Sequence, residues 1–342
     1  MREREAVGVR IAGGVRPEGS EPRHAVGEAA RQAQGGSLLP DVSLGISLDD
    51  GREVPLEVPL AARRNRGLLI LGHYGSGKTW ALKRLSYRLS RAGTPVAALS
   101  PFPQGYGAVA EAAGGEAFGP DGPGLPDELP QTPYLAVEGD GGEVLFEEGA
   151  GFRLPFGVRL GDAPVLKTDG LAALFVDAAE AFTDDHLAGA LLDLQGATEP
   201  YGTRLVVAVA DPARFYGVET SEEYRRLRRV LAEWDLLVMR QQPARVGVMM
   251  LAEALTRPGH LDPDAPNPGP RPRAKKDRPA LEARRKARDS VLGPTQWAME
   301  QLLEHEIAGL RRTGEGLLLR GGRPQHLYVD STEEERGLFD PR

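Results

Sequence analysis

The sequence predicts an α/β fold with a mostly parallel central sheet between two layers of helices. Short apolar runs alternate along the chain with stretches whose apolar residues recur at helical spacing, and a hairpin pattern occurs on each side of them. Continuous apolar runs of about four to eight residues are typical of strands buried on both faces of a parallel sheet. Because such strands are joined by right-handed helical crossovers, this alternation predicts an α/β sheet.

Each element is predicted from its local pattern. Alternation around Asp49-Asp50-Gly51 predicts an N-terminal hairpin over residues 42–58, and a second hairpin is predicted from 316–319 and 326–329. The predicted buried strands are 67–71, 95–99, 171–176, 205–210 and 236–239. The predicted helices are one through Leu82, Leu85 and Leu89 to Gly93, then 106–113, 186–194, 224–231 and 295–310.

Composition divides the chain into four stretches. Residues 1–40 mix Gly, Glu, Arg and Ala without periodicity and are predicted to be a flexible leader. Residues 41–257 hold the predicted core, in which 119–164 is a Gly- and Pro-rich excursion from the sheet. Residues 258–290 are a predicted basic, Pro-rich linker, and 291–342 supply a helix and a hairpin that complete the same domain.

The composition excludes several classes of protein. The 342 residues include no cysteine, which removes disulfide frameworks, thiol nucleophiles and cysteine-bound zinc. Every apolar run is much shorter than the roughly 18 residues that a membrane-spanning helix needs, so direct membrane insertion is not expected. The charged first residues precede no apolar signal segment, which favours the cytoplasm. A net charge of −7 does not favour nucleic-acid binding by the chain as a whole.

The most specific signal is a glycine-rich motif between a predicted buried strand and a predicted helix. The motif fits G-x-x-x-x-G-K-[ST] and consists of Gly72, His73, Tyr74, Gly75, Ser76, Gly77, Lys78 and Thr79. Backbone N–H groups of such a loop surround a β-phosphate, and the following helix directs its positive end at the same charge. Lys78 then reaches the β- and γ-phosphates, and the Thr79 hydroxyl is a ligand for Mg²⁺. The motif therefore predicts a site for ATP and Mg²⁺.

A nucleotide loop of this kind needs a carboxylate at the end of a neighbouring strand to orient the magnesium ion. Asp177 closes the predicted strand 171–176 and is the candidate magnesium ligand. Glu180 follows about one helical turn later and is the candidate that polarises an attacking water. A strand-end cap is the alternative for Asp177, and a solvent-exposed helix face is the alternative for Glu180.

Several segments together resemble the HerA/FtsK superfamily of ring-forming ATPases, nearest to the HerA-like and TraC-type ATPases of conjugation and type IV secretion. The resemblance covers residues 42–340. Its parts are the segments GREVPLEV, GLLILGHYGSGKT, PVAALSPFPQGY, LFVD, VVAVADPARF and GEGLLLRGGRP, with the acidic tail STEEERGLFDP. Because many families share the loop, the terminal hairpin and tail are the more telling match.

The resemblance implies a P-loop NTPase three-layer fold that uses ATP and Mg²⁺. It also implies a hexameric ring with nucleotide between subunits, acting in DNA translocation or conjugation-type secretion. DNA and a secretion or nuclease protein are the implied partners, and the implied location is the cytoplasm or the periphery of a membrane complex. Arg66 matches a position from which some HerA-like proteins send an arginine into the neighbouring subunit's site. A surface arginine is the alternative there.

Four positions depart from the pattern of that superfamily. Ala178 stands where an acid usually follows the magnesium aspartate, Ala210 where a polar residue usually ends the fourth strand, and Ser100 where many relatives have an acid. Glu199 stands where an arginine commonly precedes the glycine before that strand, with the nearby Arg204 as an alternative. Two functions therefore stay open, a hydrolysing motor and an ATP-binding scaffold or regulatory subunit with slow or absent hydrolysis. A P-loop kinase or a non-ring signalling NTPase is a further alternative.

Overall fold

A computed structural model describes a large part of the chain. It covers residues 42–56, 67–119, 132–139, 171–182, 187–199, 202–210, 215, 221–240, 294–320 and 323–339. The predicted leader (1–40), the predicted linker (258–290) and Arg66 lie outside the described residues.

The described elements follow the predicted alternation of strand and helix. The strands are β1 (Ser43–Ser47), β2 (Glu53–Pro55), β3 (Gly67–Leu71), β4 (Val96–Ser100), β5 (Glu116–Phe118), β6 (Tyr134–Glu138), β7 (Ala173–Val176), β8 (Arg204–Val209), β9 (Asp235–Met239), β10 (Glu315–Arg320) and β11 (Arg323–Tyr328). The helices are α1 (Lys78–Arg91), α2 (Tyr106–Ala112), α3 (Leu187–Thr198), α4 (Ser221–Glu233), α5 (Pro294–Gly309) and α6 (Glu333–Phe339), with a 3-10 helix at Ala179–Phe182. Among the described residues, no helix has the length and apolar character needed to cross a membrane.

These strands form one eleven-stranded sheet with the order β2-β1-β11-β10-β9-β3-β8-β7-β4-β6-β5. The strands from β9 to β5 in this order are parallel, and β10, β11, β1 and β2 extend the sheet in antiparallel fashion. The predicted mostly parallel sheet is confirmed. The two predicted hairpins are also present, and they pair with each other, since Ile46 on β1 lies opposite Tyr328 on β11.

The sheet is covered by helices on both faces. Along β3, Leu68 and Ile70 join one apolar cluster while Leu69 and Leu71 join the other, because successive side chains of a strand point to opposite faces. Helices α1, α2 and α6 contribute to the first cluster, and α3, α4 and α5 contribute to the second. The predicted three-layer fold is confirmed.

The stretch 119–164 contains a strand of the sheet. Strand β6 pairs in parallel with β4 from Val96–Tyr134 to Ser100–Glu138, and β5 pairs with its other side. The prediction of an excursion from the sheet is therefore wrong for the residues of β6. The apolar run of this strand is short and lies between Gly- and Pro-rich stretches, so its pattern was hidden by the composition around it. Residues 140–164 lie outside the described residues.

The C-terminal tail forms a helix that the sequence analysis did not predict. Helix α6 begins with a capping box, in which the N–H of Glu335 donates to the Thr332 hydroxyl (3.2 Å) and the N–H of Thr332 donates to the Glu335 carboxylate (2.9 Å). The same carboxylate accepts two hydrogen bonds from Arg88 on α1, at 2.5 and 2.9 Å. One turn earlier, the buried Arg84 pairs with Asp330 at 2.5 Å. The tail therefore holds the helix that follows the glycine-rich loop.

Candidate nucleotide-binding site

The glycine-rich loop leaves the carboxyl end of β3, whose five residues are all buried. Two glycines suit its geometry. A Cβ on Gly72 would lie 2.5 Å from the Ser76 hydroxyl oxygen and 3.2 Å from the Met239 Cβ, so these neighbours would have to shift to accommodate a side chain. Gly77 has φ of +100°, a conformation that disfavours residues with a Cβ, and it immediately precedes helix α1. The loop therefore turns tightly from the strand into the helix.

Lys78 is the first residue of α1 and its ammonium group lies over the loop. Its Nζ donates to the His73 carbonyl at 2.9 Å and to the Ser76 hydroxyl at 3.5 Å. The residue is only 6% exposed. Burial lowers the pKa of Lys78, and the negative charges of Asp177 and Glu180 oppose this shift without cancelling it. A buried cation in this setting favours a bound anion.

Asp177 follows β7 and its buried carboxylate meets the first turn of α1. It accepts hydrogen bonds from the Tyr106 hydroxyl at 3.2 Å and from the backbone N–H of Ala178 at 3.0 Å, and the nearby Thr79 hydroxyl also stabilises its charge. Burial nevertheless raises the pKa of Asp177, because desolvation outweighs these hydrogen bonds and the charge of Lys78. The structure thus brings together Lys78, Thr79 and Asp177 of the predicted site.

The strand that carries Asp177 is not adjacent to β3. Strand β8 lies between β3 and β7. The expectation of an acid on the neighbouring strand is wrong in this respect, because local sequence patterns do not determine the order of parallel strands. Asp177 still reaches the site, since Thr79 and Lys78 lie close enough to its carboxylate to lower the pKa of Asp177 against the effect of burial.

Glu180 lies in the 3-10 helix after β7 and is tied to the end of β8. Its Oε1 accepts a hydrogen bond from the backbone N–H of Ala210 at 2.9 Å. Its charge also acts on Lys78. Ala178, the first of the two residues between the acids, has φ of +47°, which is a strained conformation for a residue with a Cβ. Glu180 is therefore held near the loop by the strand that separates β7 from β3.

The remaining loop residues have different surroundings. The N–H of His73 donates to the Arg240 carbonyl at 2.9 Å, and the N–H of Ser76 donates to the His73 carbonyl at 3.1 Å. The Tyr74 side chain is 79% exposed, which makes it the most exposed large apolar side chain of the described residues. The predicted trans-acting Arg66 falls outside the described residues, so its role stays a prediction.

The donor set of the site fits magnesium held together with a nucleotide. A hydroxyl (Thr79) and a carboxylate (Asp177) lie side by side, and Mg²⁺ prefers oxygen ligands, few of them from protein when phosphates and waters supply the rest. Within the described residues, no group of three or more His, Cys, Asp or Glu side chains is placed to hold a metal ion.

Three residues around the site were not singled out from the sequence. Tyr106 hydrogen-bonds to Asp177, and Arg240 and Thr313 both donate to the Gly75 carbonyl, at 2.9 and 3.1 Å. Arg240 could have been found, since it follows a predicted strand and the carboxyl ends of parallel strands share one edge. Thr313 carries no local signal, because its contact depends on the long-range position of β10.

A parallel sheet with helices on both faces, and a G-x-x-x-x-G-K-[ST] loop between β3 and α1, define the chain as having a P-loop NTPase fold. The structure of VirB4 of Thermoanaerobacter pseudethanolicus shares this fold. It matches 86% of this chain and 98% of that chain with a TM-score of 0.51 and 12% sequence identity. The fold implied by the sequence resemblance is thereby confirmed.

Two further solved structures match with lower TM-scores. The genome packaging NTPase B204 from Sulfolobus turreted icosahedral virus 2, in complex with AMPPCP, has a TM-score of 0.40 and 9% identity over 79% of this chain and 100% of that chain. The cytoplasmic domain of the Thermomonospora curvata type VII secretion ATPase EccC has a TM-score of 0.36 and 12% identity over 86% of this chain and 26% of that chain. No protein-family profile and no curated protein sequence matches this chain.

Proposed function

We propose that the chain is an ATPase that binds Mg-ATP at the loop formed by residues 72–79. The observation that carries the proposal is the convergence of Lys78, Thr79 and Asp177 at the carboxyl end of the sheet, where the buried Lys78 and the Thr79 hydroxyl both stabilise the charge of the buried Asp177 carboxylate. In this assignment Lys78 binds the β- and γ-phosphates, and Thr79 and Asp177 hold the metal ion. The bound metal supplies electrostatic stabilisation of the phosphate charge.

Glu180 is the residue that we assign to the attacking water. Its Oε1 accepts a hydrogen bond from the Ala210 N–H, so the carboxylate is held in a defined position at the carboxyl edge of the sheet. A carboxylate in such a position accepts a proton from water as the phosphoryl group is transferred.

We further propose that the chain is a subunit of a ring motor that acts in DNA translocation or conjugation-type secretion. The support is the resemblance to the HerA/FtsK superfamily over residues 42–340, together with the fold shared with VirB4. In a hexameric ring, Arg66 of one subunit is the proposed arginine that stabilises charge on the phosphoryl group in the neighbouring site. DNA, or a secretion or nuclease protein, is the proposed partner.

A second candidate function is an ATP-binding scaffold that hydrolyses slowly or not at all. The observation that favours it is the pair of methyl side chains at Ala178 and Ala210, where the superfamily places an acid and a polar residue. If a water-positioning group were missing, hydrolysis would be slower by about 10²–10⁴-fold while nucleotide binding persisted.

Release of inorganic phosphate from ATP, measured with and without DNA, separates the two functions. The motor hypothesis predicts turnover that exceeds that of Lys78→Ala and rises with DNA. Turnover no greater than that of Lys78→Ala under every condition would contradict the motor and support the scaffold. Light scattering with ATP and Mg²⁺ tests the ring, since a hexamer is expected and a monomer would instead favour a P-loop kinase or signalling NTPase.

A further inference from the structure

The glycine-rich loop is hydrogen-bonded by two segments that are distant in the sequence, the end of β9 and the turn before β10. The guanidinium of Arg240, at the end of β9, donates to the Gly75 carbonyl at 2.9 Å, and the Thr313 hydroxyl, just before β10, donates to the same carbonyl at 3.1 Å. The N–H of Gly314 donates to the Ser76 carbonyl at 3.0 Å. Two consecutive carbonyls of the loop are therefore bound by residues that lie more than 160 positions away in the sequence.

These bonds set the direction of the loop's N–H groups. The described peptide bonds are all trans, so the C=O and the following N–H of each peptide point in opposite directions. With the carbonyls of Gly75 and Ser76 directed at Thr313 and Gly314, the N–H groups of Ser76 and Gly77 point away from that segment. The Ser76 N–H accordingly donates to the His73 carbonyl, at 3.1 Å.

The loop needs such support because its own sequence leaves it flexible. Gly75 and Gly77 both have positive φ, and glycine loses more conformational freedom on ordering than any other residue. A phosphate site that is already ordered binds more tightly, because ligand binding does not have to supply the ordering energy.

We propose that Thr313 and Arg240 are positioning residues that pre-organise the loop for a nucleoside triphosphate. The proposal rests on the proposed function and adds the C-terminal turn before β10 to the nucleotide site. Neither residue is assigned a contact with the nucleotide. Each acts through the Gly75 peptide.

Titration of the full chain with a fluorescent ATP analogue and Mg²⁺ tests the proposal. Thr313→Val and Arg240→Gln each weaken binding by about threefold to tenfold, the effect of one lost hydrogen bond. The double variant weakens binding by more than the product of the two single effects, since either donor alone still holds the Gly75 carbonyl. Thr313→Ser, which keeps the hydroxyl, binds as the wild type does.

The neighbouring Arg312, whose side chain is 84% exposed, is the matched control, and Arg312→Gln is expected to leave the affinity unchanged. Thermal unfolding without nucleotide is measured for every variant, and unchanged midpoints are expected. Wild-type affinity in both single variants and in the double variant would overturn the proposal, as would a loss in Thr313→Val that Thr313→Ser does not restore. Failure of the wild type itself to bind the analogue would instead overturn the proposed function.

Discussion

Each end of helix α1 contributes to a pair of oppositely charged side chains, and the surroundings disfavour the ionised forms in one pair and favour them in the other. At the first turn, burial lowers the pKa of Lys78 and raises the pKa of Asp177, so both ionised forms are disfavoured. Near the last turn, the hydrogen bond to Glu335 raises the pKa of Arg88. Burial alone would raise the pKa of Glu335, but the hydrogen bonds from Arg88 and Thr332 outweigh it and lower that pKa.

This difference indicates that the first turn of α1 serves ligand binding, whereas the last turn serves the stability of the fold. The pair near the last turn is complete in itself, because each charge has a close partner and the fold stabilises both ionised forms. At the first turn, the low-dielectric surroundings disfavour the charges that a triphosphate and a divalent cation would compensate, which is the pattern expected at a functional site. Substitutions at the first turn should therefore change nucleotide affinity, and substitutions near the last turn should change the free energy of unfolding.

The largest expected effect is on nucleotide binding at the first turn. Lys78→Ala removes the ammonium group that lies over the loop, so the affinity for an ATP analogue should fall by about 100-fold or more. Fluorescence titration measures this affinity in the wild type and in the variant. Arg91→Ala, at the exposed end of the same helix, should keep wild-type affinity. Unchanged affinity in Lys78→Ala would contradict the assignment of the loop.

The next largest effect distinguishes binding of the metal ion from binding of the nucleotide. Asp177→Asn keeps the shape of the side chain but removes the charge that holds Mg²⁺, so Mg²⁺-dependent turnover should fall by about 100-fold or more. Nucleotide binding measured in EDTA should persist. If turnover survived, the metal ligand would have to be another acid.

A smaller effect is expected on stability at the other end of α1. Glu335→Gln should lower the free energy of unfolding by about 1–3 kcal/mol at pH 7, because it weakens the charge-assisted hydrogen bonds with Arg88. Chemical denaturation measures this loss, and nucleotide affinity should stay unchanged. Glu333 lies in the same turn of α6 and is exposed, so Glu333→Gln is the control, with a smaller expected loss in the free energy of unfolding than Glu335→Gln. Equal losses in the two variants would contradict the assigned role of Glu335.

The difference in free energy of unfolding between the wild type and Glu335→Gln should depend on pH, and the direction follows from the pKa of Glu335. The pKa of Glu335 in the folded chain is below its usual value of 4.5, so its contribution is present above that value and is lost as the pH falls through the folded pKa. The stability of the wild type and of Glu335→Gln should therefore converge as the pH falls from 4.5 through the lowered pKa of Glu335 in the folded chain. A difference that stays constant with pH would show that the ionised carboxylate is not the cause.

The smallest effect concerns Tyr106. Mg²⁺ binding requires ionised Asp177, so it should weaken as the pH falls through the raised pKa of that residue. Tyr106→Phe removes a hydrogen bond that lowers this pKa, so the weakening should begin at a higher pH than in the wild type. Tyr134→Phe is the matched control, because the buried Tyr134 hydroxyl bonds to Ser86 instead. Identical pH profiles for all three proteins would contradict this role of Tyr106.

The parts of the fold that could be predicted are those with a local pattern. The run 67–71, the loop and the helix after it were predicted because strand, glycine spacing and helical periodicity are all read within about twenty residues. Asp177 was predicted because it ends a clear apolar run. Strand β6 was not predicted, since its short apolar run is surrounded by Gly and Pro.

The rest of the site depends on how distant strands are ordered. No local pattern indicates that β8 separates β7 from β3, or that β10 returns beside β9 and brings Thr313 to Gly75. For the same reason the sequence alone gave no account of how Glu180 is held, because its partner is a backbone N–H at the end of β8. These contacts are set by topology.

The most direct test of the central claim is a crystal structure of the chain with a non-hydrolysable ATP analogue and Mg²⁺. We expect the terminal phosphates to lie in the loop within hydrogen-bond distance of Lys78 Nζ, with the metal ion beside Thr79 and Asp177. An analogue bound elsewhere, or a metal ion remote from these two side chains, would contradict it.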